Sequence, residues 1–325
     1  MEASAVAASK KRRRVGTSKV DIDDVKRDED LWFHDGSIVI VAGDTAFRVY
    51  QGLLMKQSEI FRDLFSMPQP VVVETMDGCP VVKVSDSPKD MKYLLEAIHS
   101  LGFFDPKKTL KFVAISALIR LGHKYAIEHL VDQALSLLKT EYPTSLTSWL
   151  VRWHKDYACK EDMDPIEVVY LARLTQTSSL LPTALYRCCQ LESRLVEGTH
   201  RPDGTHVQLT ADDLKRCMAG KTILVQEQVR VMLGCFDWEV SSTCNTKPRC
   251  RRSFLQAIAH VRNFPDIMAE FDPFREMDSA DWFDKFGGLC DDCCNMFDGR
   301  VREARNDVWS NLPAYMDVEV EGWPT

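Results

Sequence analysis

The spacing of apolar residues changes several times along the 325-residue chain, and each change predicts a different element. Residues 1–30 are rich in Ala, Ser, Lys, Arg and Asp and poor in large apolar side chains. Such a segment buries too little surface to offset its ordering entropy, so a disordered tail is expected there. From Asp35 the pattern turns. Ile38-Val39-Ile40-Val41-Ala42 is a β-branched run, Gly43-Asp44 is a turn signal, and Ala46-Phe47-Arg48-Val49-Tyr50 alternates, which predicts a β-hairpin. Leu53, Leu54, Ile60, Phe61, Leu64 and Phe65 then recur at helical spacing, with Ser58 placed to cap a second short helix. Val71–Glu74 and Val81–Val84 predict two further strands around an Asp77-Gly78 turn. Ser87-Pro88-x-Asp90 combines a cap, a proline at the first helical position and a first-turn carboxylate, and it opens a helix through Ile98.

Two more apolar stripes follow: Leu110, Val113, Ala114, Ala117, Leu118 and Leu121, then Ile127, Leu130, Val131, Ala134, Leu135 and Leu138. Gly122 lies near their junction, where a left-handed residue commonly ends a helix. Beyond residue 140 the pattern is mostly helical. Ile166, Val169, Tyr170 and Leu174 share one face, Leu181, Leu185 and Leu191 another, and Thr210-x-x-Asp213 is a capping box for a long helix through Leu233. His200–His206, with Pro202 and Gly204, reads as a loop. The fold class expected is α+β, in three parts: a basic tail over 1–30, a small mixed sheet flanked by helices over 31–140, and a mostly α-helical region over 141–325.

The net charge of −7 conceals an asymmetry, since residues 1–20 carry six cations against Glu2 alone. The acidic remainder is a poor ligand for duplex DNA, which needs a positive surface, so a nucleic-acid partner is not expected. No apolar run approaches the roughly 18 residues of a membrane span, and no membrane association is expected. Eleven cysteines without an apolar leader argue for reduced thiols in the nucleus or cytoplasm. The run Lys10-Lys11-Arg12-Arg13-Arg14 is extended by its own repulsion and suits an acidic groove, which points to a nuclear localisation signal.

The stretch Asp35-Gly36-Ser37-Ile38-Val39-Ile40-Val41, the segment Ala46-Phe47-Arg48-Val49-Tyr50 with Leu53-Leu54, Ser58-x-x-Phe61-x-x-Leu64-Phe65, Val82-x-Val84-x-Asp86-Ser87-Pro88, and Leu118-x-x-Leu121-Gly122-x-Lys124-Tyr125-x-Ile127-x-x-Leu130 resemble, in order, the successive elements of the BTB/POZ domain. The resemblance covers about Asp35–Thr140. Tyr50-Gln51 stands where that family usually has His-Lys. The ending, Leu289-Cys290-x-x-Cys293 and Trp309-x-x-Leu312-Pro313, is similar to fungal BTB-domain proteins. The resemblance implies a non-enzymatic protein–protein interaction protein that forms homo-oligomers through its N-terminal strand and helices. A second implied role is that of a substrate adaptor for a cullin-type ubiquitin ligase. Leu31, Trp32 and Phe33 either extend such an interface or pack back on the core.

No phosphate-binding Gly-rich loop, Gly-x-Ser-x-Gly elbow or His-Glu-x-x-His helix occurs, and no catalytic residue is assigned. His123 and His129 read as packed or surface residues, and Cys188-Cys189 as buried apolar filling. Six cysteines fall after Met232. Cys290-x-x-Cys293 has the spacing with which two thiolates reach one metal from a single turn, and Cys244-x5-Cys250 is a looser partner pair. Lys247, Arg249, Arg251 and Arg252 favour thiolates there. These four cysteines are the candidate ligands of a structural zinc, with Cys235, Cys294 and His260 as possible substitutes for one of them.

Overall fold

A computed structural model describes residues 24–67, 74–100, 102–105, 107, 109–154, 163–237, 239–263, 272–274 and 279–324. Five strands form one curled sheet in the order β1 (Lys26–Trp32), β3 (Thr45–Val49), β2 (Ile38–Ala42), β5 (Cys79–Val84), β4 (Thr75–Met76). The β2–β3 pair is the expected hairpin, with Ile40 opposite Phe47 and Gly43 at φ +53° in the turn. β5 runs parallel to β2, with Ile40 beside Val82. A parallel neighbour requires a crossover, supplied by α1 (Gln51–Gln57) and α2 (Glu59–Ser66). Every residue of β2 is buried, because both faces of the sheet are covered. Ile38, Ile40, Phe47 and Val49 face the main core, while Val39, Val41, Ala46 and Cys79 form a smaller cluster with Trp32 and Val81 on the other side.

β1 begins inside the segment expected to be a disordered tail. Its sequence, Lys-Arg-Asp-Glu-Asp-Leu-Trp, alternates in no apolar sense, yet it pairs in parallel with β3 and buries Leu31 to 3% exposure. An edge strand hydrogen-bonds on one side only and tolerates charged side chains on the other, which hides it from a hydropathy reading. Leu31 therefore packs on the core. Residues 71–73 of the strand expected over Val71–Glu74 lie outside the described residues; the described strand is Thr75–Met76, closed by the left-handed Asp77 and Gly78.

Local capping chemistry places the helices. The Ser58 hydroxyl accepts from the Phe61 amide and donates to the Tyr125 carbonyl oxygen at 2.5 Å, tying α2 to the far helices. Ser87 caps α3 (Pro88–His99) by accepting from Asp90 N–H. α4 (Phe112–Lys124) runs through Gly122, and the left-handed residue that ends it is Ala126, at φ +51°. Gly122 serves packing instead, since a Cβ there would lie 2.8 Å from the Val131 side chain on α5 (Glu128–Glu141).

α4 touches both α5 and α7 (Pro165–Leu174), and so joins the first part of the chain to the second. Further along come α6 (Leu146–His154), α8 (Leu181–Cys188), α9 (Arg194–Glu197) and the 25-residue α10 (Ala211–Cys235), whose cap Thr210 accepts from Asp213 N–H as its box predicts. His200–His206 is a short hairpin, β6 (Thr199–His200) with β7 (His206–Val207), and not a plain loop. The fold closes with α11 (Lys247–Asn263), α12 (Ser279–Asp284), α13 (Asp291–Ser310) and α14 (Leu312–Tyr315). One continuous core runs from Leu31 to Trp323. The Trp309 indole donates to the Thr144 carbonyl oxygen at 2.7 Å, and the Trp323 indole donates to that of Trp309 at 2.9 Å. The architecture is α+β, a five-stranded sheet with helices around it followed by a helical assembly.

A charged strut crosses the α3–α4–α7 junction. Arg120 on α4 lies 3.0 Å from the Asp90 carboxylate and 3.4 Å from that of Glu167 on α7. Glu167 accepts from the Ser116 hydroxyl at 2.6 Å and from Arg201 Nε at 3.0 Å. Asp90, Ser116 and Glu167 are all buried, so each carboxylate depends on these partners for the solvation it has lost.

Candidate metal centre

Two loops and two helix starts converge on one point. Cys244 sits in a turn, its amide donating to the Ser241 carbonyl oxygen at 3.0 Å. Cys250 lies in the first turn of α11, where its amide donates to Thr246. Cys290 is the residue preceding α13, and Cys293 lies in that helix's first turn, its amide donating to the Cys290 carbonyl oxygen at 2.9 Å. The four sulfurs all lie within 4.8 Å of one another, and the Cys244 and Cys290 sulfurs are 3.6 Å apart. That is much too long for a disulfide at about 2.05 Å and close to the roughly 3.7–3.8 Å edge of a tetrahedral zinc–thiolate site. Cys244, Cys250 and Cys293 are buried and Cys290 is partly exposed.

The frame around the sulfurs is held by backbone geometry and hydrogen bonds. The Phe286–Leu289 loop reaches Cys290 through Gly287 at φ +92° and Gly288 at φ +71°, a backbone path that side chains with a Cβ resist. Arg249 donates to the Gly287 carbonyl oxygen at 3.1 Å, and the Ser253 hydroxyl lies 2.9 Å from both the Phe286 and Gly288 oxygens. α11 is thus stitched to the loop that presents Cys290. One turn on from Cys250 and Cys293, Phe254 and Phe297 each pack edge-on against Phe283 with centroids 5.0 Å apart, and all three rings are buried.

The electrostatics suit thiolates. Both α11 and α13 begin beside the sulfurs, and α11 has Lys247 and Arg249 and no carboxylate in its first turn, an arrangement that an adjacent anion would compensate. The Cys290 amide donates to the Cys250 sulfur at 3.3 Å, and the Thr246 hydroxyl is 3.2 Å from the same sulfur. At Cys290, burial pulls the thiol pKa upward, but hydrogen bonds from the Cys293 amide and the neighbouring thiols outweigh it and bring the value down to about 7. Burial pushes Cys244 and Cys293 the other way, so a bare cluster would resist full ionisation, and a cation at its centre supplies the missing charge.

The donor set therefore fits a structural zinc, and the chain brings together all four cysteines that the spacing singled out, Cys244, Cys250, Cys290 and Cys293. The three substitutes stand outside this set. Burial raises the Cys235 thiol to about 11, Cys294 is held higher by burial on the next position of α13, and His260 faces Lys285 and Trp282. Sequence reasoning missed Arg249 and Ser253 as clamps, and the Gly287-Gly288 pair before Cys290 was the legible signal of the turn. Cys188 and Cys189 are buried, as expected of apolar filling, and Cys217 of α10 packs beside them. His123 and His129 are exposed. Tyr50 stacks on Phe33 at 5.0 Å and donates to Asp35, while the Gln51 amide donates to the Ser37 hydroxyl. Lys10, Lys11, Arg12, Arg13 and Arg14 lie outside the described residues. Among the described residues no helix is long and apolar enough to cross a membrane. No protein-family model matches the chain, and a search of curated proteins finds no match.

Proposed function

We propose that the chain is a non-enzymatic protein-interaction protein, in which a BTB/POZ-like N-terminal part self-associates and a zinc-clamped helical region holds a second protein. The observation that carries this reading is topological. A hairpin, a helical hairpin, a strand (β5) parallel to β2, a capped helix and a closing helical pair occur in the order that the residue resemblance implies. The exposed side chains of Ile60 at 44%, in the first turn of α2, and Met67 at 59%, just past its last, add apolar surface on the N-terminal part. The cysteine centre, in this reading, has a structural role: it fixes α11 against α13 and performs no chemistry, since four protein thiolates leave zinc no open position.

Multi-angle light scattering on the full chain tests the self-association. A dimer or larger species at micromolar concentration is expected. A monomer that persists at high concentration removes the BTB-mediated pairing.

A further inference from the structure

The 17 residues of α11 include Lys247, Arg249, Arg251, Arg252 and Arg262 and no carboxylate, in a chain whose net charge is −7. Removing these five cations leaves −12 on the remainder. A zinc tetrathiolate centre would carry about −2, so the helix exceeds what the centre needs by about three positive charges. One face of α11 is buried through Cys250, Ser253, Phe254, Ala257 and Val261. The other is exposed: Arg251, Arg252, Leu255, Gln256, Ala259 and Arg262 recur every three to four residues, and Leu255 is 52% exposed in the middle of the stripe. Among the described residues, Lys247 and Arg252 make no ion pair.

We propose that this face docks an acidic protein segment, one that sets an apolar side chain among carboxylates. The cations supply the charge complementarity, and Leu255 supplies an apolar anchor flanked by Arg251, Arg252 and Arg262. Local charge is what such a segment senses, because the Debye length is about 8 Å at physiological salt. A long nucleic-acid duplex is a poorer match, since it extends past the helix and meets the acidic remainder of the surface. The hydrogen bonds of Arg249 and Ser253 to the Phe286–Leu289 loop fix the backbone of α11 that presents the stripe, which lowers the ordering cost of binding. This docking role rests on the binding function proposed above and names the chemistry of one partner.

The test is fluorescence anisotropy of a labelled peptide that carries a leucine on each helical turn among glutamates, titrated with the full-length protein. The expected result is binding that weakens as sodium chloride rises. It falls roughly tenfold in the double variant Lys247→Glu, Arg252→Glu, and falls separately in Leu255→Ser, with circular dichroism unchanged. Should charge reversal disturb folding, Lys247→Gln with Arg252→Gln is expected to give a smaller loss in a folded protein. Peptide binding that is absent, or equal in the variants, overturns the proposal, as does preferential binding of duplex DNA or single-stranded RNA. An all-glutamate peptide that binds as tightly as the leucine-bearing one overturns the apolar anchor. Because none of these variants lies on the N-terminal part, light scattering on the same samples separates this outcome from the fate of the self-association.

Discussion

The backbone N–H of Cys290 donates to the sulfur of Cys250 at 3.3 Å, across 40 positions of sequence. Cys250 belongs to α11 and Cys290 to the start of α13, so this one bond joins the two halves of the cysteine centre before any metal is considered. An amide aimed at a sulfur favours its thiolate form and orients it, the role that outer hydrogen bonds play around metal ligands generally.

From that geometry, purified protein is expected to carry about one zinc per chain by plasma mass spectrometry. Cys250→Ser and Cys293→Ser should each abolish stoichiometric binding. A chelator should lower the melting temperature markedly, because a structural zinc contributes on the order of 10 kcal/mol of apparent binding energy. Metal content far below one equivalent, or a melting temperature indifferent to chelation, counts against the site.

Arg120 sits between two buried carboxylates, and its removal leaves them partly uncompensated. Arg120→Met is expected to cost about 3 kcal/mol in urea unfolding, the lower end of the range for breaking a buried pair, because Arg201 still serves Glu167. Adding Asp90→Asn should recover part of that loss, since it removes one of the stranded charges. A double variant no more stable than the single one would count against this account.

Two glycines provide a paired comparison. At Gly198, φ is +82° and a Cβ would meet the Val207 carbonyl oxygen at 2.5 Å, so neither backbone nor neighbour can give. At Gly220 of α10 the nearest atoms are the end of the Met316 side chain, at 2.9 Å and 3.0 Å, which is flexible, and the Tyr315 carbonyl oxygen at 3.1 Å, a looser approach than that at Gly198. Gly198→Ala should therefore cost about 2–3 kcal/mol and Gly220→Ala about 1 kcal/mol or less, read from chemical denaturation. The reverse ranking would refute the packing argument.

His99 lies beside the stacked rings of Phe33 and Tyr50, 5.4 Å and 6.0 Å from their centroids, and its Nδ1 donates to the Leu95 carbonyl oxygen at 2.8 Å. Burial lowers its pKa from the ordinary 6.5, and the bond to Leu95 only partly opposes this. The unfolded chain therefore binds this proton more readily than the folded one. The associated stability is present above pH 6.5 and declines as pH falls through that value toward the folded pKa. Melting temperatures measured across that interval should fall with acid less steeply in His99→Gln than in the parent. Equal slopes would mean that His99 contributes nothing to acid sensitivity.

What was legible in the sequence is what is decided locally. Ser58, Ser87 and Thr210 cap the helices that they announce, because a hydroxyl satisfies an amide only two or three residues away. Cys290 and Cys293 were readable for the same reason, being one turn apart. The cysteines of the other pair reach the centre from a turn and from a helix, and nothing in a five-residue spacer fixes that geometry. β1 was lost because it is an edge strand rich in charge, in which Leu31 is the one fully buried residue. Gly122 was misread because its purpose is the closeness of α5, a fact of tertiary packing. The clamps Arg249 and Ser253 act on carbonyl oxygens more than 30 positions away, beyond any local pattern.

The continuous core has a consequence for how the chain could be divided. Trp309 reaches back to Thr144, Trp323 leans on Trp309, and α4 serves helices on both sides of residue 140. A cut there would strip α4 of its α7 contact and leave Asp90 and Arg120 facing water without Glu167. The N-terminal sheet and its helices are therefore not a cassette that could be moved whole into another protein. A graft would need a new surface designed along α4 before it could stand alone.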